Sequence, residues 1–413
     1  MLEITPWQIR NFRLRTHQLD SSPSSSLTSR IIRAAGICGI QNSPPGAWEI
    51  SLFSRVPDCT QKDLDHLLTE EKSLLQAWSF RGAPVVFPAS ESASFLQALT
   101  ARDGEEWIYT HGITLALDFL SLPFPELLEM LIQVLPGLDQ VTIAGKSSLD
   151  QTLAQWMLPL LPASRRDLWN RPSMYGDPQR QTVGGAVVSF LLRPCSFLGL
   201  VVFGQRKEGL PTFTSYKNWT GKPYCPLEPD EAARRLVRKY LHAYGPASPD
   251  QFASWLGCTK KQGRRMWDTL SSEMEPVSVL GKKAYVLKND LEDILSPVLL
   301  KRPLLMLGPH DPYLDGRDRL ILQPDPALHR QIWKTVSNPG AILREGEIVG
   351  IWNCRKKPKG LEIHFQLFSP SAAASSCSGS PETMPLPCRQ DLSDMAQQYA
   401  AFRGEPVFKL DFS

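Results

Sequence analysis

The chain has 413 residues, of which 42% are hydrophobic and 21% are charged, and its formal net charge is +3. This length is enough for about three domains with packed cores, and the small net charge means that binding to a polyanion has to come from local clusters of cations. The sequence shows neither an N-terminal signal nor an apolar stretch of about 20 residues, which argues against secretion and membrane insertion, so we expect a cytoplasmic protein.

The cysteine and histidine patterns do not indicate a metal centre or a disulfide framework. The eight cysteines include no Cys-x-x-Cys pair, and the seven histidines show no His-x-x-x-His spacing. Zinc sites and disulfide-linked domains are therefore not expected. The sequence also lacks a Gly-rich phosphate loop, a nucleophile elbow and a paired-carboxylate motif. We expect no cofactor, and we exclude nucleotide hydrolysis, serine-hydrolase chemistry and glycoside hydrolysis.

Residues 1–102 show the element order of a winged helix, which is a helix-turn-helix followed by a β-hairpin. Helical patterns cover residues 7–15, 27–36, 46–56 and 63–75, and the first of them is rich in basic side chains. Residues 77–87 are then typical of extended structure with a bend at Gly82-Ala83-Pro84. We predict a first winged helix here. Arg81, beside the bend, either reaches a DNA phosphate or makes a structural contact.

Residues 103–225 repeat this order and predict a second winged helix. Helical patterns at 125–135, 149–160 and 181–192 precede two strand patterns at 199–203 and 212–216. The turn between the strands carries Arg206 and Lys207. These two cations at a hairpin tip either contact a phosphate backbone or form an ordinary solvated surface.

The third predicted winged helix, residues 226–292, has the clearest local signals. Ser248-Pro249-Asp250-Gln251 supplies an N-cap, a proline at the first helical position and a capping glutamine. Gly257 ends that helix, and Thr259 begins a second one after a short turn. Strand patterns at 277–279 and 284–286 then flank Gly281 and Lys282, which predicts a hairpin.

Six cations are concentrated in this third segment. The second helix would direct four of them outward, and the hairpin tip adds two, which gives the set Lys260, Lys261, Arg264, Arg265, Lys282 and Lys283. A run of helix cations is often only a solvated face. At the start of the second helix of a helix-turn-helix, however, such cations lie where a recognition helix meets DNA. The pattern predicts binding to double-stranded DNA.

After residue 292 the pattern changes to short strands and turns, which predicts a small β-rich domain over residues 293–413. Strands are expected at 303–307, 320–322, 341–343, 348–352 and 361–367, with a helix at 391–402 and a last strand at 406–410. Residues 370–387 are rich in Ser, Ala and Pro, so a mobile loop is expected there. The fold class predicted for the whole chain is α+β, with three tandem winged helices before this domain.

The charged segment from His310 to Arg319 has two interpretations. Its aspartates, including Asp311 and Asp315, are typical of a catalytic site. The same residues are more typical of a turn held together by salt bridges that order the β-rich domain. We favour the second interpretation.

Four stretches taken together resemble a known family. They are the segments 39–55, 77–84, 240–257, and 304–319 with 346–352. They are similar to the winged-helix DNA-binding family that includes the bacterial DNA glycosylases acting on azinomycin-type interstrand crosslinks and bulky N-alkylated bases. The resemblance covers nearly the whole chain and implies tandem winged helices that clamp DNA, ending in a β-rich region.

The resemblance also implies candidate catalytic residues. In the glycosylases a loop carries Gln-x-Gln or Gln-x-Asp, which holds a water and stabilises the sugar cation as the base departs. The matching residues here are Gln41, Asn42 and Ser43. Gln41 fits the motif, but Ser43 is shorter than glutamine and cannot act as a carboxylate base. A polar turn before Pro44-Pro45 is the alternative interpretation.

Two functions therefore remain open from the sequence. The first is a DNA glycosylase that releases alkylated or crosslinked bases by hydrolysing the N-glycosidic bond. The second is a DNA-binding or regulatory protein that keeps the same scaffold without the chemistry. The sequence does not indicate the oligomeric state.

Overall fold

The structure is a computed structural model that describes residues 1–20, 25–177, 179–334, 336–369 and 385–413. The helices are α1 Pro6–Thr16, α2 Leu27–Gly36, α3 Ala47–Arg55, α4 Gln61–Asp65, α5 Ser92–Phe95, α6 Thr114–Leu120, α7 Phe124–Val134, α8 Lys146–Met157, α9 Ala163–Trp169, α10 Val183–Phe197, α11 Tyr216–Thr220, α12 Pro229–Tyr244, α13 Pro249–Leu256, α14 Lys260–Asp268, α15 Leu291–Leu295, α16 Arg319–Leu322, α17 His329–Ile332 and α18 Arg389–Arg403. The strands are β1 Leu2–Glu3, β2 Ile40–Gln41, β3 Leu74–Trp78, β4 Pro84–Pro88, β5 Ile143–Ala144, β6 Val202–Lys207, β7 Leu210–Thr214, β8 Met274–Val279, β9 Lys282–Leu287, β10 Leu304–Leu307, β11 Gly340–Arg344, β12 Glu347–Lys357, β13 Gly360–Leu367 and β14 Val407–Phe412.

The fold is α+β, as the sequence predicts, because helices and mainly antiparallel strands occupy separate stretches of the chain. The chain divides into two compact units. Unit 1 comprises Met1–Leu67, Val237–Trp255 and Leu270–Ser413, and unit 2 comprises Leu68–Leu236 and Leu256–Thr269. The division into three winged helices and a β-rich domain stays a prediction. Of the mobile loop expected at residues 370–387, residues 370–384 lie outside the described residues.

In unit 1, the first helix begins at a complete capping box. Thr5 and Gln8 exchange hydrogen bonds, and Pro6 occupies the first turn of α1. Ile9 and Phe12 of α1 pack against the β8–β9 hairpin, and β1 pairs in parallel with β8. The predicted helix is therefore confirmed, and two of its arginines, Arg10 and Arg13, are buried.

The β8–β9 hairpin confirms the strand pattern of the third predicted winged helix. Val279 pairs with Lys282, so Leu280 and Gly281 form a two-residue turn. The predicted turn centre at Gly281-Lys282 is one residue too late. Ser248 and Gln251 form the expected capping interaction at the start of α13, with hydrogen bonds of 2.7 and 3.2 Å.

A five-stranded sheet with the order β10-β11-β12-β13-β14 forms the C-terminal part of unit 1. Adjacent strands are antiparallel except β13 and β14, which are parallel. One face of the sheet packs against α18 through Trp352, Phe365 and Tyr399. The predicted strand at 320–322 is wrong. These residues form the helical turn α16, because Ile321 and Leu322 are both buried in apolar clusters, which an alternating strand would not allow.

Unit 2 is built around α7, α8 and α10, whose apolar faces form one core with the β5-β7-β6 sheet. Close packing in this core requires glycine at position 184. A Cβ on Gly184 of α10 would lie 2.2 Å from the Trp169 ring, so only glycine fits. The helix α10 runs to Phe197. The strand β6 begins and ends later than the predicted strand at 199–203, whereas β7 begins and ends two residues earlier than the predicted strand at 212–216. The predicted helix at 63–75 is also too long, since Leu74 begins β3, which pairs with β4.

Three further findings concern the described ranges only. None of the helices in them combines the length and the apolar character needed to cross a bilayer. Their cysteines are all free thiols. Groups of three or more potential metal ligands do not occur among these residues.

Candidate functional site

The predicted catalytic residues lie at the end of β2, which contains Gln41, and in the loop that leads from it into α3. The Asn42 Oδ1 accepts a hydrogen bond of 2.7 Å from the Gly46 backbone N–H. Gly46 has φ +91° and forms the N-cap of α3, a conformation that favours glycine. The Gln41 Nε2 donates to the Ser43 carbonyl over 3.2 Å. Asn42 is buried and closes the turn, whereas Ser43 is exposed.

A cavity of about 50 Å³ in unit 1 contains Gln41 but neither Asn42 nor Ser43 in its wall. The other polar wall residues come from the charged segment and from the loop before β11. They are His310, Asp311, Asp315, Trp333 and Asn338. The structure thus brings one of the three predicted catalytic residues together with the charged segment that the sequence analysis treated separately.

Asp311 is held in this wall by a buried ion pair. Its carboxylate accepts from Arg55 Nη1 at 2.8 Å and Nη2 at 2.9 Å, and also from the Tyr313 backbone N–H at 2.9 Å. Both charged side chains are almost completely withdrawn from solvent. The carboxylate is therefore fully engaged in structure and unsuited to act as a base.

His17 completes this buried group. Its ring lies within 3.4 Å of Arg55 Nη2 and bonds the Ala243 carbonyl over 3.0 Å. Burial, followed by the positive charge of Arg55, lowers the pKa of His17 well below 6.5. The neutral ring therefore donates through Nε2 and accepts at Nδ1.

A second ion pair anchors the far end of the charged segment. Arg13 Nη2 binds the Asp318 carboxylate at 2.6 Å, and the same guanidinium donates to the carbonyls of Tyr244 and Gly245. Asp315, whose side chain is 25% exposed, lies between the two anchors, 3.6 Å from Arg317. The interpretation of this segment as a salt-bridge network is correct for Asp311 and Asp318. Their partners, however, are arginines of the N-terminal helices and not residues of the β-rich domain.

The predicted recognition helix α14 lies in unit 2 and begins at the expected cap, with Thr259 accepting from the Gln262 N–H. Lys260, Lys261 and Arg264 are exposed. Arg265 is not an outward cation. Its Nε and Nη2 bind the Glu105 carboxylate at 2.7 and 2.8 Å, and the Glu105 side chain is only 3% exposed.

The carboxylate of Glu105 shows why this pair forms. Burial alone would raise its pKa, but hydrogen bonds from Arg265 and from the Arg102 backbone, together with the charges of both arginines, hold it below its usual value. The main role of Arg265 is thus to pair with Glu105 inside unit 2.

The remaining predicted DNA contacts lie at turns. Lys282 and Lys283 are exposed beside the β8–β9 turn of unit 1. Arg206 and Lys207 are exposed at the β6–β7 turn of unit 2, where Arg206 donates to the Gly209 carbonyl. Arg81 lies 5.0 Å from the Phe80 ring centroid, and it packs so closely against Gly257 that a Cβ there would lie 2.9 Å from its Cγ. This contact favours the structural role for Arg81.

Sequence reasoning missed Arg13, Arg55 and His17, because burial of a charged residue leaves no local signal. It also missed the tip of the β12–β13 hairpin, where Arg355, Lys356, Lys357 and Lys359 are exposed. A signal for this tip was available. Four cations follow the alternating pattern, and the predicted strand at 348–352 ended before them.

Comparisons with known proteins agree on one family. A family model described as DNA glycosylase AlkZ-like matches residues 34–402. An interstrand DNA cross-link repair glycosylase from Streptomyces sahachiroi is 24% identical over 359 residues, which cover 84% of this chain and 86% of that protein. The solved structure of the S. sahachiroi DNA glycosylase AlkZ matches with a TM-score of 0.74 at 20% identity, over 100% of both chains. The family resemblance predicted from the sequence is confirmed, and the structural match shows a shared fold.

Proposed function

Because the chain belongs to the AlkZ-like DNA glycosylase family, we propose that it hydrolyses the N-glycosidic bond of alkylated or crosslinked bases in double-stranded DNA. The observation that carries the proposal is the shared cavity of Gln41 and Asp315. Both residues line it, so the glutamine of the family motif shares the cavity with a carboxylate that the motif itself lacks in this chain.

The size of the cavity supports a role in holding water. A volume of about 50 Å³ exceeds the roughly 10–15 Å³ that a single water requires. It is far below the roughly 300–1,000 Å³ of pockets that enclose a small-molecule ligand. We therefore place a water in the cavity and the nucleotide outside it, at the Gln41 side.

Asp315 acts as the carboxylate base, a function that Ser43 cannot supply. The water oxygen bonds to the anomeric carbon of the sugar while the bond from that carbon to the base nitrogen breaks. The water gives a proton to the Asp315 carboxylate, and the departing base takes the electron pair of the broken bond. Since an N-alkylated base starts as a cation, it leaves neutral and needs no acid.

Gln41 has the positioning role. Its amide offers both a donor and an acceptor, so it can orient the water and face the positive charge that develops on the sugar. Asn42 is assigned to closing the loop, because its Oδ1 is already bonded to Gly46. The catalytic role predicted for Asn42 and Ser43 has no support from the cavity.

DNA binding is proposed for the exposed cations of both units. In unit 2 these are Lys260, Lys261, Arg264, Arg206 and Lys207, and in unit 1 they are Lys282 and Lys283. Helix pairs followed by hairpins support three winged helices as the scaffold that presents them. Phosphate contacts by such cations would position the duplex without reading its sequence.

The test is release of modified bases from duplex DNA alkylated at guanine N7 or adenine N3, and from crosslinked duplexes. We expect release by the wild type, with losses of about 100-fold or more for Gln41→Ala and Asp315→Asn. Ser43→Ala is the matched control and should retain activity. Affinity for the same duplexes should be unchanged in all three variants.

Two results would contradict the proposal. Full activity of Asp315→Asn together with loss of activity in Ser43→Ala would return the base function to Ser43. Tight, salt-sensitive binding without release from any of these substrates would make the protein a non-catalytic DNA-binding member of the family.

A further inference from the structure

The turn between β8 and β9 carries a residue that its backbone does not favour. Leu280 and Gly281 have φ values of +50° and +72°, and Val279 pairs directly with Lys282. Two-residue hairpin turns with both central residues at positive φ strongly prefer Asn-Gly or Asp-Gly. A leucine in the left-handed region is strained, because its Cβ approaches the following carbonyl.

The leucine gains no burial in return for this strain. Its side chain is 44% exposed, whereas the neighbouring Val277, Ala284 and Val286 carry the apolar packing of the hairpin. A residue that is both strained and exposed contributes little to folding. Such a local conflict is a sign of a contact made with a partner.

Leu280 lies at a cleft of about 700 Å³ within unit 1. Cations line it from two separate parts of the chain. Lys282 and Lys283 belong to the hairpin, and Arg317 and Arg319 belong to the charged segment and α16. All four of these residues are exposed.

The acidic residue in the cleft wall does not cancel this charge. Asp318 is engaged by the buried Arg13 at 2.6 Å. Arg317 shares Asp315 at 3.6 Å, while Lys283 and Arg319 lie over the rings of Tyr285 and Trp333 at 5.2 and 5.1 Å. The cleft therefore carries a net positive charge next to an exposed apolar tip.

We propose that this cleft holds the phosphate backbone of duplex DNA while Leu280 inserts as a wedge between neighbouring base pairs. Apolar side chains used in this way partly unstack a base step and kink the duplex, and phosphates match the four cations. The inference rests on the proposed binding to double-stranded DNA. It adds a residue that deforms the DNA, at a site separate from Gln41 and Asp315.

The test compares Leu280→Asn with the wild type on alkylated duplexes containing 2-aminopurine, whose fluorescence rises when it unstacks. Asparagine suits this turn, so the variant should unfold at the same denaturant concentration as the wild type or a higher one. We expect about tenfold weaker binding and loss of the fluorescence increase. Leu280→Met should keep both the affinity and the fluorescence increase of the wild type. The matched control is Leu299→Asn, which alters a leucine that is 95% exposed.

The two cleft walls are tested separately. Lys282→Gln and Arg319→Gln should each lower the salt dependence of binding by about one unit of slope. A Leu280→Asn protein that binds and brightens 2-aminopurine like the wild type would overturn the wedge. A wild type that fails to bind any duplex would overturn the proposed function itself, so the two failures are distinguishable.

Discussion

Arg55 of α3 and Asp311 form a bidentate ion pair in which the side chains are 1% and 0% exposed. The pair ties an N-terminal helix to the segment that carries Asp315, and its Asp311 member lies in the wall of the cavity that contains Gln41. The position of the proposed base thus depends on a charge pair outside the proposed reaction.

We predict that Asp311→Asn lowers the free energy of unfolding of unit 1 by about 3–5 kcal/mol, because it leaves the Arg55 charge buried without a counterion. Denaturant unfolding measures this. The control is Asp58→Asn, which removes the partner of Arg30 in a pair whose aspartate side chain is 57% exposed. That change should cost less than about 1 kcal/mol. Equal losses in the two variants would contradict the prediction.

A second prediction concerns pH. The pKa of His17 in the folded protein lies well below 6.5 because the ring is buried beside Arg55. Above pH 6.5 the ring is mostly neutral in both the folded and the unfolded chain, so its titration does not change stability there. Below this value only the unfolded chain takes up the proton, and stability falls by up to about 1.4 kcal/mol per pH unit.

His17→Gln should remove this contribution, since glutamine can still donate to the Ala243 carbonyl but does not titrate. The measurement is the urea midpoint of the wild type and the variant between pH 7.5 and pH 5. The two proteins should differ in how steeply the midpoint falls below pH 6.5. Parallel curves would show that His17 is not the titrating group.

Neighbouring arginines in α14 should behave differently when neutralised. Arg264→Gln should weaken DNA binding and reduce its salt slope by about one, with little change in stability. Arg265→Gln should instead destabilise unit 2, because it leaves the Glu105 carboxylate, which is 3% exposed, without its charged partner. Binding titrations at several salt concentrations and thermal unfolding separate the two effects. The reverse pattern would mean that Arg265 is the DNA contact.

The turn between α13 and α14 should tolerate only glycine at position 257. Gly257 has φ +80°, and a Cβ there would lie 2.9 Å from Arg81 Cγ and 3.1 Å from its Cα. Gly257→Ala should therefore destabilise the protein by more than the roughly 1–2 kcal/mol expected for the left-handed backbone alone. Gly221→Ala is the control, since Gly221 has φ +72° and open space around it. Equal melting temperatures for the two variants would rule out the close contact.

The sequence by itself determined the features that depend on a few neighbouring residues. The caps at Thr259 and Ser248, the helix Leu27–Gly36 and the β8–β9 hairpin follow from side chains within four positions of the backbone groups that they satisfy. The family resemblance belongs here too, because it rests on short motifs in a fixed order.

Only the tertiary structure decided which charged side chains are buried and which carboxylate meets Gln41. Arg264 and Arg265 have the same local signals, yet one is exposed and the other is paired with Glu105. Likewise, Arg10 and Arg13 belong to a helix that the sequence pattern shows to be rich in basic side chains, and only the structure shows that both are buried. The physical reason is that desolvation of a charge is offset by partners distant along the chain, and those partners are set by the packing of the whole unit.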